Sequence, residues 1–357
     1  MVKPPENPSA KYYLGFSMAP AATADLASPA PKILPEPFNT LSNAPINDWR
    51  ADLRDNGFAV IKGAIPRERA LEYQQKARQW LKSFGNDKLD FENPETWLAE
   101  NLPVQSTINT FSAYAVAHEK FMWDARLEPG VVDAFARIWG TDELIVSFDS
   151  LNITFPNRKD VPRKGSWEHV DQSPLRRGMH CVQGIINLST AGPDDGGLVV
   201  YPGSHNYLEE FLTTQTDPST WESKDLFWFH AEQLAWFQKE KGIQPHKVCA
   251  DIGDLIVWDS RTIHYGAEPT EASNTIRTVI YAAYSPSKLA STETLKRKAE
   301  VFRNYGGTTH WPHDNVVVRK RGAIFPNGNP DPRDREVPLE LPEMTDGLLK
   351  LAGVKPY

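Results

Sequence analysis

From about residue 143 the chain consists of short apolar runs separated by polar breaks. LIVSFDSLNITF, HCVQGIINL, GGLVVYPGS, DLIVWDS and TIRTVIYAAYS are β-branched or aromatic and bounded by Gly, Pro, Asn and Asp. That pattern predicts strands. No long crossover helices separate them, which argues for antiparallel pairing in a sandwich or barrel. Before this region the period changes. DWRADLRDNGFAVIKGAI predicts a short helix, a Gly turn and a strand over Phe58–Lys62. Pro66 then opens a helix that Gly85 follows, and VVDAFARIWG predicts another near 131–140, also closed by Gly. Between 206 and 246 the strands are interrupted. There DLFWFHAEQLAWFQKEKG has helical spacing and many aromatics. The expectation is an all-β core with flanking helices.

The ends differ in texture. Residues 1–45 are rich in Pro and Ala and read as an arm. The main domain is expected over 46–300, and 301–357 as a turn-rich extension packed on it, ending in a short helix at TDGLLKLAG. At 357 residues there is ample chain for a core. The net charge of −7 gives no electrostatic reason to expect nucleic acid. No apolar run reaches the roughly 18–20 residues of a membrane helix, and MVKPPENPSAKYY has no apolar signal core. Two cysteines, Cys181 and Cys249, make a disulfide framework unexpected. The expected location is cytoplasmic, as a monomer or homodimer without nucleic-acid or membrane partners.

The chemistry begins in WEHVDQSP. His169 and Asp171 are two apart, so a strand would turn both to one face. Taken in isolation, the pair reads as a surface polar pair before it reads as a metal site. A third group stands at the far end of another apolar strand: His264 in GDLIVWDSRTIHYG. Two imidazoles and one carboxylate form the facial triad of non-heme Fe(II) oxygenases, which leaves positions open for a cosubstrate and O2. Arg277, in the apolar run TIRTVIYAAY, is expensive to bury unless a carboxylate meets it. It reads as an anchor for a dicarboxylate, with a structural ion pair as the plainer alternative. No phosphate loop or dinucleotide fingerprint occurs. Gly15-Phe16-Ser17-Met18-Ala19 has the spelling of a nucleophile elbow but no strand before it.

The order His169-x-Asp171, GGLVVYPGSHN, GDLIVWDSRTIHYG and TIRTVIYAAY, with NGFAVIKGAIPRERA upstream, resembles the phytanoyl-CoA dioxygenase family of Fe(II)/2-oxoglutarate oxygenases. The likeness covers roughly residues 48–285, and its texture is closest to fungal oxygenases of small-molecule biosynthesis. It implies a double-stranded β-helix (a cupin-like jelly roll) with Fe(II), 2-oxoglutarate and O2 as cofactors. His169, Asp171 and His264 match the iron ligands, and Arg277 matches the residue that binds the distal carboxylate of 2-oxoglutarate. Asn152 matches an Asn that touches the cosubstrate in ectoine hydroxylase; as a plainer alternative it caps a turn. Gln183 falls on a strand whose inward residues line that pocket, or else bonds the backbone. The family pattern departs at Arg277-Thr278-Val279, where some relatives carry Arg-x-Ser. Retention of Asp171 disfavours halogenation.

The expected activity is oxidation of a small molecule, amino-acid-like or a biosynthetic intermediate, by hydroxylation, desaturation, cyclisation or C–N bond formation. A 2-oxoglutarate-independent iron oxidase and a silent jelly-roll binding protein are the competing readings. Trp167 is expected in the core, His180 and His205 in structural roles, and His310 with His313 as an isolated pair. The aromatic insert reads either as a lid or as a helix packed on the barrel. Basic residues near 317–321 are candidates to meet a substrate carboxylate.

Overall fold

A computed structural model describes residues 32–37, 41, 48–85, 87–319 and 322–357. Most of the arm, including the stretch at Gly15, lies outside the described residues, as do Lys320 and Arg321.

The first elements form for local reasons. In α1 (Trp49–Asn56) the Asp48 carboxylate caps the Arg50 N–H, a contact worth about 1 kcal/mol in such helices. Gly57 ends the helix at φ 77° and leads into β1 (Phe58–Ile61). Only glycine fits there: a Cβ would stand 2.2 Å from Thr262 Oγ1 and 2.6 Å from His205 Nδ1. α2 (Arg67–Lys82) follows Pro66 and buries Ala70, Tyr73, Ala77, Trp80 and Leu81 on one face. After β2 (Thr110–Phe111) come α3 (Lys120–Arg126) and α4 (Pro129–Trp139), the latter closed by left-handed Gly140.

The strand region then runs β3 (Leu144–Val146), β4 (Leu151–Thr154), β5 (His169–Val170), β6 (Val182–Asn187) and β7 (Gly197–Val200). The interruption holds α5 (Leu208–Gln215), β8 (Phe227–Trp228) and α6 (Ala231–Glu240). Next come β9 (His246–Lys247), β10 (Leu255–Asp259), β11 (His264–Ala267) and β12 (Arg277–Pro286), then α7 (Thr292–Arg303) and α8 (Asp346–Leu351).

Two antiparallel sheets face each other. The larger runs β1-β10-β6-β12-β4-β2, with β3 also on β12; the smaller runs β8-β5-β11-β7-β9. Between them pack Ile185, Ile256, Trp258 and Val279 from one sheet and Leu198 and Val200 from the other. This is the double-stranded β-helix, with helices outside. α2 and α4 join the large cluster that covers the bigger sheet, and Leu348 and Leu351 of α8 join the same cluster.

One expectation changes and one is narrowed. Phe227–Trp228 is a strand rather than part of a helix, and it extends the smaller sheet beside β5. Tertiary pairing there overrides the helical spacing of the run. α6 packs through Phe237 against Phe211 and Phe229, so this part of the insert is packed helix. Cys181 and Cys249 are both free.

Candidate metal and cosubstrate site

Register builds the centre of the site. His264 on β11 is paired directly with His169 on β5. Directly opposed residues in an antiparallel pair share a face, so both imidazoles enter the space between the sheets. Their ring centroids are 4.3 Å apart. Asp171 follows on the loop after β5, its N–H held 2.9 Å from the Ser260 carbonyl. Its two oxygens split between the histidines: Oδ1 lies 3.6 Å from His169 Nε2 and Oδ2 3.2 Å from His264 Nε2. One ligand atom from each of the three lies within 4.8 Å of the others, the sole such group among the described residues.

The tautomers are fixed from behind. His169 Nδ1 donates to the Trp167 carbonyl at 3.0 Å, and His264 Nδ1 donates to the Thr262 carbonyl at 2.9 Å. Each Nε2 lone pair is thereby left for the shared point, as metal-binding histidines require. Burial pushes the His264 imidazole below its ordinary pKa, favouring the neutral ligand form. Burial alone would raise the Asp171 carboxyl, but neighbouring imidazoles, His310 first, draw it well below the usual carboxylate range when they carry charge. Neutral nitrogens and an ionised oxygen are the donor set Fe(II) takes.

Gln183, read from the sequence as a pocket residue, has its amide on the triad. Its Nε2 donates to Asp171 Oδ2 at 2.8 Å and reaches Ser260 Oγ at 3.3 Å. Asn152 and Arg277 meet as a pair: Nη1 of Arg277 donates to Asn152 Oδ1 at 3.2 Å, and Thr154 Oγ1 donates to the same oxygen at 2.9 Å. Arg277 is 4% exposed, and its Nε has no hydrogen-bond partner. Among the described residues no carboxylate lies within ion-pair distance of it. The plainer reading of Arg277 as a structural ion pair therefore finds no partner. A buried guanidinium with a free edge is made for an anion. Asn152 serves both readings: its Oδ1 accepts from the guanidinium, and its Nδ2 donates at 2.8 Å to the Ile108 carbonyl in the turn before β2.

The surroundings differ from expectation in places. Trp167 is half-buried rather than core, and it stacks on His169 at 4.6 Å with 9° between the planes. Trp228, brought by β8, lies 5.3 Å from the same imidazole. Gln172 Nε2 donates to the Gly178 carbonyl and Ser173 Oγ to the Glu222 carbonyl, both buried contacts to backbone. His205 bonds the Arg54 carbonyl and His180 the Arg177 carbonyl, both structural contacts. His310 and His313 flank Trp311, and among the described residues no third ligand joins them in a metal-binding group. Arg319 is engaged by Asp149 and the Thr308 carbonyl, so it is not free for a substrate carboxylate.

A jelly roll with a His-x-Asp and distant His cluster between its sheets, and a buried Arg on a later strand, defines a non-heme iron dioxygenase dependent on 2-oxoglutarate. The chain belongs to the phytanoyl-CoA dioxygenase (PhyH) family, whose model matches residues 53–278. It is 40% identical over 273 residues to "Ava biosynthesis cluster protein O" of Aspergillus versicolor, covering 74% of this chain and 86% of that one. Among solved structures it resembles the GlcNAc-inducible gene 2 protein of Candida albicans (TM-score 0.51, 13% identity, 74% and 69% of the two chains). It also resembles EctD from S. alaskensis with 2-oxoglutarate and 5-hydroxyectoine (TM-score 0.47, 15% identity, 72% and 84%). Fe(II), 2-oxoglutarate and O2 are the cofactors of the family. No helix among the described residues is long and apolar enough to cross a membrane.

Proposed function

We propose that His169, Asp171 and His264 hold Fe(II), that Arg277 binds the distal carboxylate of 2-oxoglutarate, and that the enzyme oxidises a C–H bond of a small-molecule biosynthetic intermediate. One observation carries the reading: two imidazoles with fixed tautomers aim their Nε2 atoms at the two oxygens of a single carboxylate. The free edge of Arg277 supports the cosubstrate half.

Bound Fe(II) with 2-oxoglutarate and O2 supplies a two-electron oxidation of substrate coupled to release of succinate and CO2. The protein's share is positional. Trp167 and Thr262 carbonyls hold the ligand rings, Gln183 holds the carboxylate, and Asn152 aims the guanidinium. Burial around the triad limits water there, which protects a reactive centre from unproductive turnover. Trp167 and Trp228 supply apolar ring faces beside His169, suited to a substrate with a flat or apolar skeleton. The relative's place among biosynthesis cluster proteins supports a biosynthetic intermediate over an amino acid.

The test is a panel of such intermediates assayed for 2-oxoglutarate-dependent succinate release with product mass. One added oxygen marks hydroxylation; loss of two hydrogens marks desaturation or ring closure. Substrate turnover with no requirement for 2-oxoglutarate would instead establish the cosubstrate-independent oxidase. Absence of succinate with every substrate, and without substrate, would leave only a binding protein.

A further inference from the structure

We propose that Lys247 is a second cation of the cosubstrate pocket, clamping the distal carboxylate of 2-oxoglutarate together with Arg277. The inference rests on the reading of Arg277 given above and adds to it a residue that no motif singled out.

Three observations meet at one point. Lys247 is on the edge strand β9, which pairs with β7 at Val199. Two residues before Val199, Gly197 leaves open a space that both cations border. A Cβ on Gly197 would lie 2.8 Å from Lys247 Nζ and 3.8 Å from Arg277 Nε. Second, the Arg277 atom facing that space is the Nε without a hydrogen-bond partner, whereas Nη1 is already engaged by Asn152. Third, Lys247 Nζ makes one hydrogen bond, to the Asp195 carbonyl at 2.6 Å, and no carboxylate among the described residues lies within ion-pair distance of it. The Asp195 carboxylate itself is taken up by Ser273 Oγ and the Gly192 N–H.

Two neighbouring, largely buried cations without a counter-ion repel each other and are poorly solvated. Burial first, and Arg277 second, push the Lys247 ammonium down to about 8, so it stands near the threshold of losing its charge when nothing is bound. A carboxylate laid on the Nε edge of Arg277 would meet the lysine as well. The absence of a side chain at Gly197 is what lets Lys247 Nζ lie beside Arg277.

The experiment compares two metal chelators by calorimetry on Fe(II)-loaded protein under anaerobic conditions. 2-Oxoglutarate carries the distal carboxylate; oxalate chelates a metal without one. Lys247→Met is expected to weaken 2-oxoglutarate about tenfold or more, the value of one charge-assisted hydrogen bond, and to leave oxalate unchanged. Lys247→Arg, which keeps the charge, should retain most of the affinity. Unchanged 2-oxoglutarate binding in Lys247→Met overturns the proposal. Equal weakening of both chelators does so too, since it shows that Lys247 only props the Asp195 carbonyl. If Arg277→Leu also leaves 2-oxoglutarate unweakened relative to oxalate, the anchor itself is misplaced; if that variant alone loses affinity, only Lys247 is.

Discussion

His169 and His264 are directly opposed across β5 and β11, and this single register places both imidazoles on one face. A slip of one residue would turn one of them outward. The order of strands in the smaller sheet is therefore part of the metal site, and each neighbour of these strands affects it.

Arg277→Leu removes the buried guanidinium proposed to bind the cosubstrate. Loss of one partner of a buried charge pair costs about 2–5 kcal/mol, or roughly 30-fold to several thousand-fold in affinity. The apparent requirement for 2-oxoglutarate in a succinate assay should rise by that factor. Turnover at unchanged cosubstrate concentration would remove Arg277 from the anchor.

Gln183→Leu should keep the fold, because leucine is close to glutamine in size and the Gln183 amide bonds only the side chains of Asp171 and Ser260, not the backbone. It deletes the hydrogen bond to Asp171 Oδ2. Partners of metal ligands are commonly worth about 10–100-fold in metal affinity. A competition titration against a chelator measures this; an affinity equal to wild type would place Gln183 elsewhere than behind the carboxylate.

Gly57→Ala should destabilise the protein. The residue needs φ 77°, and its Cβ would collide with Thr262 and His205. A strained left-handed alanine alone costs about 1 kcal/mol, and the clash adds to it. Thr262 supplies the carbonyl that holds His264 Nδ1, so metal affinity should fall together with thermal stability. A melting temperature equal to that of wild type would contradict the packing described.

The affinity for 2-oxoglutarate should depend on pH through Lys247. Its pKa in the free protein is pushed down to about 8, by burial first and Arg277 second. A bound carboxylate favours the ammonium form and raises that pKa. Affinity is thus fully present below pH 8 and is lost as pH rises beyond it. The groups facing Lys247 are Arg277 from β12, Asp195 from the turn before β7 and Cys249 from its own segment. In Lys247→Met the decline above pH 8 should disappear; a decline that persists there comes from another group.

Much of this site is legible in the sequence because strands have a period of two. His169-x-Asp171 and the histidine at the end of a distant strand need only that period and a guess at adjacency. Arg277 is visible because a lone guanidinium in an apolar run demands an explanation. What escapes is set by tertiary pairing. Phe227–Trp228 is too short to carry a period, and it becomes a strand only through β5. Gln183 can be assigned to the inward face, but its partner Asp171 depends on how the loop after β5 folds back. Lys247 has no local mark at all; its nearness to Arg277 follows from β9 joining β7 and from the missing side chain at Gly197. α7 did leave a signal, the Ser291 cap before an apolar stripe at Ala299 and Phe302, within a stretch that reads as turn-rich only further on.

The central claim is that three side chains form one iron site. Anaerobic equilibrium dialysis against Fe(II), with wild type beside His169→Ala, Asp171→Ala and His264→Ala, tests it most directly. The account predicts one tightly held Fe(II) per wild-type chain and at least about a hundredfold weaker binding in each variant, beyond the loss expected for residues that only support a ligand. Wild-type protein that holds no iron, or a variant folded like wild type that holds it as tightly, would contradict the account.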